Sequence, residues 1–257
     1  MMGDNGIPRV VFGMVYAVVA FGILAYLFRR GMFSRKIGYL FLGLSTAMGF
    51  LVFAPMLPNQ FQLLVLGELG RLRAPLPVAA LGFALFIVLT FVFGRIFCGY
   101  LCPIGAVQEL AYRLPTKKLR ISRKAVPMAF HLAFFAAFIV LGVVFSVEVL
   151  AYFGFRQFFH LNVTSVFFYV FLGLLALSVF VYRPFCRLFC PYGVLLSLVS
   201  IKGLFKLRRN DDCIDCKLCG DNCPTNEAGR YDLRQECYMC NRCRDICPVD
   251  GLDYSRR

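Results

Sequence analysis

The sequence predicts an all-α polytopic membrane body of about five transmembrane helices with an internal pseudo-twofold repeat, closed by a short α+β tail rich in cysteine. Three observations carry this prediction. Of the 257 residues, 60% are hydrophobic and 16% charged, against about 25% charged in a soluble domain. Charge is divided along the chain: the first 210 residues hold 21 of the 28 Lys and Arg but only Asp4, Glu68, Glu109 and Glu148 among the acids, whereas ten of the fourteen acids lie from Asp211 onward. All twelve cysteines fall into two kinds of repeated spacing. The expected division is a body of residues 1–207 and a tail of residues 208–257.

Five stretches reach the roughly 20 apolar residues that a helix needs to span a bilayer: Val10–Phe28, Ile37–Leu57, Leu76–Phe97, Val126–Val147 and Val163–Tyr182. None contains an acid, and His131 is the one histidine among them. The first is a retained helix rather than a secretory signal, because most of its basic flank follows it and no small-residue cleavage site is evident. Loop charge alternates. One set carries Arg29, Arg30, Arg35 and Lys36, then Arg113, Lys117, Lys118, Arg120, Arg123 and Lys124, then Arg183, Arg187, Lys202, Lys206, Arg208 and Arg209. The other carries only Arg9, Arg71, Arg73 and Arg156. The positive-inside rule puts the N-terminus outside and the tail in the cytoplasm, in a multi-pass protein of a prokaryotic inner membrane. Basic residues set between long apolar runs mark topology, not the soluble basic face of a nucleic-acid binder.

The repeat lies at the ends of the third and fifth spans. Arg95-Ile-Phe-Cys98-Gly-Tyr-Leu-Cys102-Pro103-Ile-Gly105 matches Arg183-Pro-Phe-Cys186-Arg-Leu-Phe-Cys190-Pro191-Tyr-Gly193. The stretches that follow, Ala106–Leu114 and Val194–Phe205, are too short to span and read as interfacial or re-entrant helices. Two copies of span, cysteine motif and short helix imply motifs that face each other.

In the tail, Cys213, Cys216, Cys219 and Cys223 spell C-x2-C-x2-C-x3-C-P, and Cys237, Cys240, Cys243 and Cys247 spell it again. In the bacterial two-cluster arrangement three close thiolates bind one cluster and the fourth, before proline, binds the other. One [4Fe–4S] cluster then takes Cys213, Cys216, Cys219 and Cys247, and a second takes Cys237, Cys240, Cys243 and Cys223, in a ferredoxin-like domain. Zinc rarely uses eight cysteines in two such identical runs, and a cytosolic tail disfavours disulfides. Cys98, Cys102, Cys186 and Cys190 are expected to converge on a third iron–sulfur cluster, with i and i+4 sharing a face if each pair is helical. A redox dithiol and plain packing stay open beside that reading. Arg95 and Arg183 either serve an anionic cofactor or a quinone headgroup, or snorkel to the lipid headgroups. His131 has a packing or hydrogen-bonding role by default. Glu148, Arg156 and His160 form a weak outer quinone or proton site.

Paired C-x3-C-P motifs at span ends followed by a two-cluster tail resemble the membrane-bound ferredoxin-type quinol dehydrogenase subunit of periplasmic nitrate reductase systems, with relatives in methylamine utilisation and nitrous-oxide respiration. The resemblance covers about Leu76 to Pro248. That family has four spans with both termini cytoplasmic, and this chain carries one more at its N-terminus. The resemblance implies electron exchange between a membrane quinone pool, other subunits of a redox complex and a soluble carrier. The alternative is an accessory factor that reduces a metal or cofactor for another enzyme. No nucleophile or acid–base constellation is present, so any catalysis is cofactor redox chemistry.

Overall fold

The computed structural model of the chain describes residues 6–52, 57–68, 76–121 and 123–256. Arg71 and Arg73, expected in an outer loop, lie outside these residues, as does most of the end of the second predicted span. Among the described residues, three helices are long and apolar enough to cross a membrane: α1 (Gly6–Arg29) from Phe12 onward, α4 (Leu76–Phe93) and α6 (Ala125–Phe145). Their outward faces carry bare apolar side chains, such as Leu81 at 70% and Val144 at 67% exposure. Such surface is stable where the solvent is lipid. The second and fifth predicted spans are also helices, but of a different kind. Helix α2 (Arg35–Val52) opens on Arg35 and Lys36. Helix α8 (Val166–Phe180) has 15 residues, about 22 Å at helical rise against a hydrocarbon core of about 30 Å.

Shorter elements fill the space between. Helix α3 (Leu57–Val65) is tied to the 3-10 turn at Val149–Phe153 by Gln62, whose side-chain oxygen accepts from Leu150 N at 2.6 Å. The stretches expected to be interfacial are indeed helical, as α5 (Pro103–Tyr112) and α10 (Pro191–Ile201). Helix α2 lies close on α5 because Gly49 has no side chain: a Cβ there would meet Pro103 Cβ at 2.7 Å and the Phe159 ring at 2.6 Å. Phe159 closes α7 (Phe155–Phe159). Between α8 and α10, α9 (Pro184–Leu188) makes a single turn. Buried Phe97, Phe155, Phe171 and Phe185 form the centre of the aromatic core.

The tail opens on strand β1 (Phe205–Arg209), which pairs antiparallel with β2 (Leu252–Arg256), Leu207 opposite Tyr254. Between them come two four-residue helical turns, α11 (Leu218–Asp221) and α12 (Arg242–Asp245). Tyr254 Oη donates to Phe93 O at 2.7 Å, which seats the sheet on the end of α4. Each basic loop set grips the acidic tail. Arg35 pairs with Asp245 at 2.7 Å, Lys124 with Asp232, and buried Arg187 with Glu236 at 3.1 Å. The three cation-rich loops and the tail therefore share one end of the molecule.

Candidate metal centres

The two C-x3-C-P motifs fold alike. Cys98 sits on a π-helical turn (Phe97–Leu101) and Cys186 on α9. Proline disfavours helical backbone in the residue before it, so Cys102 (φ −71°, ψ 119°) and Cys190 (φ −83°, ψ 105°) are extended. Each then caps the next helix, with proline at the first helical position, where a missing N–H costs nothing. The i, i+4 helical pairing is thus not what gathers the thiols; a proline-imposed break is. The Pro-x-Gly of each motif follows from the same turn. A Cβ on Gly105 would meet Cys98 O at 2.7 Å, and one on Gly193 would meet Cys186 O at 3.2 Å and Cys190 Sγ at 3.3 Å. All four thiols, Cys98, Cys102, Cys186 and Cys190, line a single pocket walled by Arg95, Phe97, Phe185 and Tyr192.

Neither arginine snorkels. Arg95 is 1% exposed and Arg183 fully buried. Arg95 Nη1 donates to Ser197 Oγ at 2.8 Å and Gln235 O at 3.3 Å, while its Nε and Nη2, buried in the pocket wall beside the Cys98 thiol, are left without a well-formed hydrogen bond among the described residues. Such orphaned cationic donors fit an anionic occupant. Arg183 holds the first motif in place: it donates to Cys98 O, to Gly99 O at 2.7 Å and to Glu109 Oε2 at 3.0 Å. Glu109 also pairs with Arg242 at 2.6 Å and Arg113 at 3.2 Å. Burial pushes the Glu109 carboxyl up, but the guanidiniums of Arg242, Arg183 and Arg113 outweigh it and hold the group at about 2.

The tail forms two more pockets. Cys213, Cys216, Cys219 and Cys247 line one, and Cys223, Cys237, Cys240 and Cys243 line the other. These are the two crossed sets expected from the spacing. Left-handed backbone on both sides of the middle cysteine turns each run inward: Asp215 and Lys217 in the first, Met239 and Asn241 in the second. Non-glycine residues adopt this conformation rarely, and its recurrence at matching positions marks a shared loop shape. N–H groups point at thiols in all three pockets: Gly193 N at Cys190, Glu227 N at Cys223 and Gly251 N at Cys247, at 3.2–3.3 Å.

These residues fit iron–sulfur clusters. All twelve cysteines are unpaired. Among the described residues no three His, Cys, Asp or Glu side chains close on one ion-sized point; the thiols instead line three separate pockets in groups of four. Donor N–H groups aimed at sulfur are the contacts that tune such clusters. The dithiol alternative for the boundary pairs fits less well, because reactive thiols need lowered pKa values and burial pushes the Cys102, Cys186 and Cys190 thiols up, Cys186 to about 11. A bound metal deprotonates its thiol ligand regardless.

His131 is buried on α6, its Nε2 2.8 Å from Cys190 O, which is the hydrogen-bonding role expected of it. Glu148, Arg156 and His160 line none of the three pockets. Sequence reasoning missed Glu109, although an acid in a basic body that holds only four was a signal. It also missed Gln108, whose Nε2 donates to Cys186 Sγ at 3.5 Å and whose oxygen accepts from Phe185 N at 3.0 Å. Nothing in the sequence flagged Tyr238.

The comparisons agree with this geometry. The 4Fe-4S binding domain family matches residues 75–122 and 165–210, one segment for each membrane-boundary motif. The uncharacterized protein MJ0750 of Methanocaldococcus jannaschii is 33% identical over 205 residues, 74% of this chain and 81% of that protein. The putative electron transport protein YccM of Escherichia coli is 31% identical over 63% of this chain and 49% of its own length. The regulatory protein NosR of Pseudomonas aeruginosa is 35% identical over 54% of this chain, which spans only 22% of NosR. No solved structure matches. With the matched segments centred on the cysteine motifs and MJ0750 aligned over most of both lengths, the chain belongs with MJ0750 to a membrane ferredoxin-type family of 4Fe-4S proteins.

Proposed function

We propose that this protein relays electrons through three [4Fe–4S] clusters, between a tail of residues 208–257 and a membrane body of residues 1–207. Cys213, Cys216, Cys219 and Cys247 would hold the distal tail cluster. Cys223, Cys237, Cys240 and Cys243 would hold the proximal one, and Cys98, Cys102, Cys186 and Cys190 the boundary cluster. The single observation that carries this reading is that twelve cysteines sort into three pockets, each lined by four thiols. The clusters supply one-electron chemistry. The chain's own residues exclude water from the boundary pocket, place Arg95 donors beside it, and fix its loops through Arg183 and Glu109.

Five spans, with the N-terminus outside and the tail cytoplasmic, are part of the same proposal. Support comes from the gathering of the cation-rich loops at the tail's end and from the positive-inside rule. Two copies of one unit facing across a pseudo-twofold axis are supported by the twofold family match and the shared proline break. On this reading the protein serves a redox complex as a quinol-dehydrogenase-type subunit. It links a soluble carrier or neighbouring subunit on the tail side to the quinone pool or an outer-face partner.

The test is electron passage in vesicles with the tail outward, between a soluble ferredoxin and a quinone in the bilayer. The double variant Cys98→Ser/Cys186→Ser should keep both tail signals and lose transfer. Transfer at the wild-type rate in that variant would take the boundary pocket off the route.

A further inference from the structure

The boundary pocket and the proximal tail pocket are joined through one buried side chain. Tyr238 follows Cys237 directly, lines the proximal pocket and is 2% exposed. Its hydroxyl donates to Cys186 O at 3.3 Å, in the boundary motif. One residue and one hydrogen bond therefore connect a thiol-bearing residue of one pocket to a thiol-bearing residue of the other. The ring is clamped by two cations, with Arg95 4.4 Å and Arg183 4.9 Å from its centroid. Such contacts are strongest when desolvated.

The loops around this side chain are matched to each other. Tyr100, between Cys98 and Cys102, donates to Met239 O at 3.1 Å, between Cys237 and Cys240. Each loop thus sends one tyrosine hydroxyl to a carbonyl of the opposite site. Gly99 sets the gap: a Cβ there would lie 2.3 Å from Tyr238 O, a contact no side chain can make. Arg95 reaches both sides, with donors in the wall of the boundary pocket and a bond to Gln235 O in the tail.

We propose that Tyr238 is the bridge over which single electrons pass between the proximal tail centre and the boundary centre. This rests on the reading that both pockets hold clusters. One electron leaves the reduced centre on the Cys237 side and arrives at the oxidised centre on the Cys186 side; no bond forms or breaks and no proton moves. Two guanidiniums on the ring oppose the positive charge that oxidation would place there, so the tyrosine conducts without itself being oxidised. Arg95 and Arg183 are positioning residues for the ring. The bonds of Tyr238 to Cys186 O, Tyr100 to Met239 O and Arg183 to Gly99 O tie the loops together and keep the route fixed.

The experiment compares wild type, Tyr238→Phe, Gly99→Ala and the matched control Tyr254→Phe, whose hydroxyl also donates to a body carbonyl but outside the cysteine loops. Iron and sulfide content and the EPR signal of each centre are recorded first. The tail is then photoreduced, and arrival of the electron at the boundary centre is followed by freeze-quench EPR. Tyr238→Phe should keep all signals and slow arrival several-fold. Gly99→Ala should slow it further and weaken the magnetic interaction between the two centres, while Tyr254→Phe leaves both unchanged. Wild-type arrival in Tyr238→Phe, with both centres loaded, overturns the bridge. A wild-type protein without any boundary signal instead overturns the cluster reading beneath it, and the bridge with it.

Discussion

At the scale of single residues, the account turns on charges that have left water. Glu109 is the one acid facing Arg183 and Arg242 in the body, and the pairs lie at 3.0 and 2.6 Å. Removing one partner of a buried ion pair strands the other, at a cost of about 3–5 kcal/mol. Glu109→Gln should therefore destabilise the detergent-solubilised protein by about that much, read as a lower midpoint of thermal unfolding. The pH sign follows from the carboxyl held at about 2 against about 4.3 in an unfolded chain. Its contribution is complete above the unfolded value and fades as pH falls from there through the folded value. Wild type should lose its advantage over Glu109→Gln on acidification below about pH 4, and a difference that persists unchanged at pH 2 would contradict this role.

At the scale of elements, a helix break matters more than the helices. The proline after each second cysteine makes that cysteine a cap, and the glycine two residues later lets the first cysteine's carbonyl lie over the new helix. Gly105→Ala sets a Cβ 2.7 Å from Cys98 O and 3.1 Å from Arg183 Nη1. Overpacking of this kind costs about 1–3 kcal/mol, and here it should also empty the boundary pocket while both tail signals survive in EPR. Gly22→Ala, with nothing within 4 Å of its added Cβ, should do neither. Cys-x3-Cys-Pro-x-Gly was legible in the sequence as a repeat, and the crossed tail sets were legible from spacing alone. The break was not, because a four-residue spacing fits both a continuous helix and an interrupted one. Span count was only partly legible: apolar runs locate helices, but the cations that open α2 and the length of α8 depend on where each helix begins and ends. The partners of Arg95 lay out of reach because Ser197 and Gln235 are distant in sequence.

At the scale of the whole molecule, an acidic tail is seated on the basic end of an apolar body. Exposed pairs such as Arg35 with Asp245 contribute little singly. The buried pair of Arg187 with Glu236, at 4% and 7% side-chain exposure, is the stronger tie. Arg187→Ala should make the tail susceptible to limited proteolysis near Asn210 at salt concentrations that leave wild type intact. Equal protection of the two proteins would show that the tail is held elsewhere.

The central claim is that electrons enter the membrane body through a third cluster and do not stop at the tail. The most direct measurement is iron and acid-labile sulfide on anaerobically purified protein, with EPR after stepwise reduction. The account predicts about twelve irons per chain and three signals, one of them lost in Cys98→Ser/Cys186→Ser. About eight irons, with the same signals in wild type and the double variant, would contradict it.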